Sequence, residues 1–263
     1  MSRDRPARRW CHAATGLDDF AIVTWALDPD RLAAQLPAGF VPEVRNGAAL
    51  VSAVAFLDDR FHFNAAPWPR ISCGQVNYRA YVRRPGAPSR PDETGEPGGT
   101  DQPDETGVWF LGTSLDSPLV AVPRLLWQMP WHRDRLRIAA TWSGDECRSW
   151  RLDATGAWGG AAVELRGTGR PFEPPAGFVT PDEVSGVLLD PFVGWYARRD
   201  GSGVGRYSVW HQPLVLEQAE VVEARCQVFL DLDLLDPGDA PISAGLQRQV
   251  WFDVHTPPTR VAP

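Results

Sequence analysis

The sequence predicts a mainly β chain of the α+β type, a single domain of 263 residues with two or three short helices. Three observations carry that expectation. Apolar and polar side chains alternate in short runs, most clearly over Gln75 to Val82. Turn signals built on Gly, Asp and Ser separate the runs at the spacing of a meander. No shift in composition divides the chain, whose length suits one large domain or two small ones.

The elements follow in order. Asp28 to Gln35 predicts a short helix, with Asp28 as cap, Pro29 in the first turn, and Leu32 and Leu36 on one face. Ala48 to Phe56 predicts a strand of small and β-branched residues. In Gln75 to Val82, parity places Val76, Tyr78, Ala80 and Val82 on one face and Gln75, Asn77, Arg79 and Tyr81 on the other. Pro85 to Thr106 is rich in Pro, Gly, Asp and Glu, cannot bury a core, and predicts a mobile hairpin tip. Within it Pro91-Asp92-Glu93-Thr94-Gly95 recurs as Pro103-Asp104-Glu105-Thr106-Gly107, which reads as a slipped insertion. A strand resumes at Val108 to Gly112. Ser117 and Pro118 then open a helix over Leu119 to Gln128. Leu136 to Trp142, Cys147 to Leu152 and Ala161 to Arg166 predict a meander. Thr180 to Glu183 caps a helix over Pro181 to Leu188. Phe192 to Arg198 and Val204 to His211 predict a hairpin, Ala219 to Phe229 a strand, and the tail from Asp236 a loop with one strand near Gln249 to Val254.

Composition excludes several function classes. The net charge of −7 opposes a nucleic-acid surface, which is basic and clustered. No stretch is long and apolar enough for a membrane span. The arginines near the N-terminus precede no apolar run, so no signal peptide is expected. Cys11, Cys73, Cys147 and Cys226 are widely spaced, which fits reduced thiols in a cytoplasmic protein. The 12 tryptophans are many, and most are expected in the core or a cavity wall. All 26 basic side chains are arginine, a bias that GC-rich coding explains. The chemical consequence stands regardless: a Schiff base to a ketone needs a side-chain primary amine, and guanidinium cannot supply one.

Searches for other motifs fail. Neither a His pair at i, i+4 nor a Cys/His cluster with zinc spacing occurs. The chain lacks a G-x-S-x-G elbow and a P-loop. Gly201-Ser202-Gly203-Val204-Gly205 joins two β-like runs and reads as a turn. No cofactor is implied.

Several stretches together resemble a known family: Asn77-Tyr78-Arg79-Ala80-Tyr81-Val82, Gly107-Val108-Trp109-Phe110 with Ser114-Leu115-Asp116, Arg124 to Asp134, and Trp210-His211-Gln212-Pro213-Leu214. The chain is similar to the bacterial YqjF-like proteins of the acetoacetate-decarboxylase-like superfamily. The resemblance implies a cone-shaped, mostly antiparallel β-barrel around an internal cavity, flanked by a few helices. The superfamily's decarboxylases carry a G-R-E-x-x-G-x-P-K-K pattern whose first lysine forms the Schiff base. The matching stretch here runs from Pro123 to His132, with Arg124 and Pro130 at the right spacing and Trp131 and His132 in place of the lysines. Gln75 stands where the YqjF-like branch often has glutamate.

The resemblance places His132 toward the cavity, where imidazole is suited to proton transfer; a surface histidine beside Arg133 and Asp134 is the plain alternative. His211 at a strand end is a second proton carrier by the same reasoning. His12, His62 and His255 lack supporting context. Arg79 is suited to a substrate carboxylate or enolate, against the alternative of a salt bridge to Asp116 or Glu183. Asn77, Tyr81, Trp109, Asp116, Trp131 and Trp210 are the candidate substrate contacts, with helix capping as the plain role of Asp116. The expected function is a cofactor-independent enzyme of lyase, dehydratase, cyclase or isomerase type. Its substrate is an apolar, carbonyl-containing or polyketide-like small molecule. The alternatives are a non-catalytic binder of an apolar ligand, and a retained fold with no small-molecule role. No nucleic-acid or membrane partner is expected, and a homo-oligomer is compatible with the sequence.

Overall fold

The computed structural model describes residues 5–86, 104–178 and 180–261. Its strands are β1 (Ala13–Leu27), β2 (Val41–Pro42), β3 (Ala49–Phe63), β4 (Ala66–Arg84), β5 (Glu105–Leu115), β6 (Trp131–Arg133), β7 (Arg135–Ser143), β8 (Glu146–Thr155), β9 (Ala161–Pro171), β10 (Val193–Ala197), β11 (Val204–His211), β12 (Glu217–Cys226) and β13 (Ser243–Val261). Short helices α1 (Pro29–Ala33), α2 (Ala121–Leu126), α3 (Pro181–Val184) and α4 (Gln227–Asp231) lie between them.

The order β1-β3-β4-β5-β10-β11-β13 closes when β13 pairs back onto β1. Closure leaves no free edge among these strands. From β13 the sheet continues through β12, β9, β8 and β7, which fold over the outside of the barrel. Pairing is antiparallel except at β5, which runs parallel to β10 and to β6.

The two layers explain two cores. Ala53, Ala55, Val76, Tyr78 and Ala80 on the outer barrel face pack against Trp150, Leu152 and Leu165. The small alanines allow the second layer to approach closely, and burying each large side chain contributes roughly 2–3 kcal/mol. Leu17, Phe20, Val54, Phe56, Tyr81 and Val108 face inward. The alternation expected over Gln75 to Val82 is present: Val76, Tyr78, Ala80 and Val82 are fully buried in the outer core.

Capping chemistry behaves as the sequence indicates. Asp28 accepts from the Asp30 N–H at 2.8 Å. Ser117 accepts from the Leu119 N–H at 3.3 Å, opening a 3-10 turn over Pro118–Val120 that leads into α2. Thr180 and Glu183 form a reciprocal capping box, at 3.2 and 3.3 Å. Beyond α3 the chain widens into a π-helical turn, Ser185–Leu189, rather than continuing as one α-helix to Leu188.

Other expectations need correction. Strand β1 was not predicted. It is buried on both faces, so it shows no alternation, and Asp18-Asp19 interrupts its apolar run. That interruption is a bulge in which Asp19 takes a φ of 51° and accepts the indole N–H groups of Trp142 and Trp150, each at 2.7 Å. The predicted strand Ala219 to Phe229 ends at Cys226, where α4 begins. The tail beyond Asp236 is mostly the long strand β13, not a loop. Strands β3 and β4 form a hairpin longer than predicted. Most of the low-complexity insert, residues 87–103, lies outside the described residues, and its last residues belong to β5.

Candidate functional site

Inward-facing side chains of the barrel enclose a cavity of about 250 Å3. Leu17, Val54 and Phe56 form one wall, Val108 and Phe110 a second, and Phe252 and Val254 a third. Leu119 and Val122 reach solvent at its rim, being 41% and 38% exposed, and Trp127, Met129 and Trp131 stand beside them. The π-helical turn closes the opposite end: the Leu188 carbonyl accepts from the Tyr81 hydroxyl at 3.3 Å, and Tyr81 also meets Ser52 at 2.8 Å.

Three polar residues of β4 line this space, as parity requires: Gln75, Asn77 and Arg79. The Asn77 side-chain oxygen accepts from Gln75 Nε2 and from Thr113 Oγ1, both at 2.9 Å. That leaves the Asn77 amide nitrogen for a ligand. Arg79 donates to the Leu188 carbonyl at 3.0 Å and to the Tyr81 hydroxyl at 3.2 Å, and its Nε is buried without a hydrogen bond. Among the described residues no carboxylate pairs with Arg79, so the salt-bridge alternative is not realised. A half-buried guanidinium without a counter-ion on an apolar wall is a ready partner for an anionic ligand group.

His211 also lines the cavity. Its ring stacks on Phe252, 4.5 Å away, and on Phe192, 5.6 Å away, both nearly parallel to it. Nδ1 lies 2.8 Å from the Gln212 carbonyl oxygen and Nε2 lies 3.5 Å from Asp190 Oδ1. Burial lowers its affinity for a proton, and Arg79 acts in the same direction. The Gln212 carbonyl and Asp190 oppose them. Burial pushes the neighbouring Tyr207 phenol well up, so it stays neutral.

Two further groups escaped the sequence reading. Asp58 is buried on the cavity wall, accepts from Thr15 Oγ1 at 3.1 Å, and is pushed up to about 7 by burial. Cys73, its partner across β4, is pushed up to about 12 by burial, with the charges of Asp58 and Asp116 adding to the effect. That thiol is not a nucleophile at neutral pH. Asp58 shares parity with Val54 and Phe56, so extending the predicted strand by two residues would have placed it on the inner face.

Three of the remaining candidates, His132, Trp109 and Trp210, lie outside the cavity for a common reason: neighbours along a strand face opposite sides. Trp131 lines the cavity, so His132 turns outward, where it stacks on Trp158 with ring centroids 4.2 Å apart. Burial and the nearby charges of Arg124 and Arg199 push His132 down to about 4, with Asp134 opposing. Trp158 fits there because Gly112 has no side chain; a Cβ would come within 2.3 Å of the indole. Val108 and Phe110 face in, so Trp109 faces out and packs against Phe40. Val209 and His211 face in, so Trp210 faces out beneath Arg5. Tyr81 lies inside the barrel but beneath the cavity floor. Asp116 is exposed, its N–H donating to the Gly74 carbonyl. Among the described residues no three His, Cys, Asp or Glu side chains gather as metal ligands, and no helix is long and apolar enough to cross a membrane.

Three solved structures share this architecture. An enduracididine biosynthesis enzyme, MppR, with HEPES buffer bound is 10% identical, with a TM-score of 0.61 over 98% of this chain and 89% of that one. An acetoacetate decarboxylase from Legionella pneumophila is 14% identical, with a TM-score of 0.57 over 98% and 93%. An acetoacetate decarboxylase-like enzyme from Sphingomonas wittichii RW1 is 12% identical, with a TM-score of 0.58 over 96% and 94%. The barrel is therefore of the acetoacetate-decarboxylase-like kind. No curated protein matches the sequence. The DUF2071 family model, described as an uncharacterized conserved protein, matches residues 14–247.

Proposed function

This chain belongs to the DUF2071 family, and from its cavity we propose that it is an enzyme acting by proton transfer on an apolar, carbonyl-containing small molecule. The observation that carries the proposal is Arg79, a cation on an apolar cavity wall without a carboxylate partner among the described residues. Such a group suits a carboxylate or a developing enolate oxygen. Asn77 offers a second donor nearby. Of the two candidate histidines, His211 is the one beside that oxygen site, and Arg79 is close enough to influence its charge. Its Nε2 takes the proton from the carbon next to the carbonyl, with the ring held at Nδ1 by the Gln212 carbonyl and the nearby Asp190 favouring the imidazolium that forms.

An imine route through a side chain is closed, because the sequence contains no lysine. At the position where the resemblance sets the reactive amine, Trp131 presents an indole to the cavity. Those lyase, dehydratase, cyclase and isomerase reactions that start by removing a proton next to a carbonyl share the enolisation that Arg79 and His211 serve. The narrower placement among bacterial YqjF-like proteins is part of the same reading. So is a cytoplasmic location, which the free thiols of Cys11, Cys73, Cys147 and Cys226 support.

Trp127 and Trp131 on the wall make tryptophan fluorescence a direct probe. Benzoylacetone, an apolar 1,3-diketone, is expected to quench it saturably and to lose its enol absorbance faster with protein than in buffer. Quenching without faster ketonisation would favour a second reading, a non-catalytic binder, which the largely apolar wall also supports. Absence of both effects would count against both readings.

A further inference from the structure

The proton route above leaves unused a carboxyl on the cavity wall. Asp58 follows Val54 and Phe56 on the inner face of β3. It is 7% exposed, and among the described residues its hydrogen-bond donor is Thr15. No arginine pairs with it there. The next residue, Asp59, pairs with Arg60 instead.

Asp58 and His211 line the same cavity from well-separated strands of the barrel. Thr15 on β1 pairs with Phe252 on β13, and Phe252 pairs with His211 on β11. Thr15, Phe252 and His211 therefore form one row, and Asp58 is hydrogen-bonded to its first member. From β3 to β11 is three strand steps at about 4.8 Å each, on the order of 14 Å along the curved wall and less across the lumen. Both groups line the cavity of about 250 Å3, so one bound molecule has access to each.

We propose that Asp58 is a second catalytic acid–base group, which exchanges a proton with the substrate in the cavity it shares with His211. The inference rests on the proposed function and deepens it by naming the substrate class, a 1,3-dicarbonyl or its equivalent with two oxygens flanking an acidic carbon. In the enolising direction, His211 Nε2 takes the C–H proton, and the electrons of that bond form the new C=C bond. One oxygen stays at Arg79. The other gains the proton of Asp58 as the Asp58 O–H bond breaks. The product is a neutral enol, beside an Asp58 carboxylate and a His211 imidazolium. Once the product leaves, water carries the proton from imidazolium to carboxylate and restores the pair.

The surroundings suit an acid held protonated. Thr15 faces Asp58 from β1, and Cys73 faces it from β4 as a neutral thiol influenced by Asp116. Among the described residues no cation pairs with Asp58; burial moves its proton equilibrium up to about 7, opposed only by the Thr15 hydrogen bond.

The test is ketonisation of benzoylacetone by the wild-type protein, D58N, D58E and H211A, with folding checked by near-ultraviolet circular dichroism. D58N is expected to slow the reaction about 100-fold and to erase the limb of the pH profile near 7. D58E, which keeps a carboxyl, should recover a measurable part of the rate and holds the test open should D58N fail to fold. Wild-type rate and profile in D58N, with activity lost in H211A, would overturn the role of Asp58 and leave the proposed function standing. No acceleration by the wild-type protein would remove both.

Discussion

The His211 Nε2 atom lies 3.5 Å from Asp190 Oδ1, while Nδ1 of the same ring lies 2.8 Å from the Gln212 carbonyl oxygen. A carbonyl only accepts, so Nδ1 carries a proton. In the neutral ring Nε2 is then the nitrogen with a free lone pair, and the nearby Asp190 favours the imidazolium that forms when Nε2 takes a proton. Stacking on Phe192 and Phe252 fixes the ring in that orientation. Burial disfavours the imidazolium, which keeps Nε2 available as a base at neutral pH.

His211→Ala should lower the rate of benzoylacetone ketonisation by roughly 100-fold or more, the ordinary worth of a positioned base. The wild-type rate should fall as the solution becomes acidic and Nε2 is protonated. A pH–rate profile from pH 4 to 9 checks both.

Arg79→Met keeps the length of the buried stem and removes the charge. Loss of a charge-assisted contact of about 1.5–3 kcal/mol should weaken binding of an anionic or enolic ligand by roughly 10- to 100-fold. Because Arg79 pairs with no carboxylate among the described residues, the variant should lose little thermal stability. Fluorescence titration and thermal melts measure the two effects separately.

Asp58 and His132 should affect stability with opposite pH dependence. The Asp58 carboxyl sits at about 7 in the fold, above its unfolded value, so the stability it lends is complete below pH 4 and is lost as pH rises toward 7. Asp58→Asn should therefore match the wild type at pH 4 and exceed it by about 4 kcal/mol at pH 8. His132 sits at about 4, below its unfolded value of about 6.5. Its contribution is complete above pH 6.5 and is lost as pH falls toward 4. His132→Phe preserves a ring on Trp158 and should gain on the order of 1 kcal/mol at pH 4.5, allowing for its half-exposed position. Denaturant unfolding at three pH values tests these signs.

Gly112→Ala places a methyl within 2.3 Å of the Trp158 indole. The indole must move, breaking its stack on His132, and the expected loss is about 1–3 kcal/mol. A double variant with Trp158→Leu should recover most of that loss.

Incubation with acetoacetate and borohydride should leave no reduced adduct on any side chain, since none is a primary amine. Peptide mass mapping reads the outcome directly.

The alternation over Gln75 to Val82 placed Gln75, Asn77 and Arg79 on one face without any coordinates, because strand parity is a local property of the backbone. The same rule separates Trp131 from His132, Trp109 from Phe110, and Trp210 from His211. Parity alone does not say which member of each pair faces inward. That depends on which side of the sheet becomes the lumen, and closure of β13 onto β1 decides it. Strand β1 was illegible because burial on both faces erases alternation.

The absence of a side-chain amine, and with it the loss of imine chemistry, is written in the sequence because reactivity of that kind is a property of residue type. The meeting of His211 with Asp190, and of Thr15 with Asp58, belongs to the tertiary structure. Their partners lie on different segments of the chain, brought together by barrel closure and strand register. Those depend on the simultaneous pairing of distant strands, which local spacing does not encode.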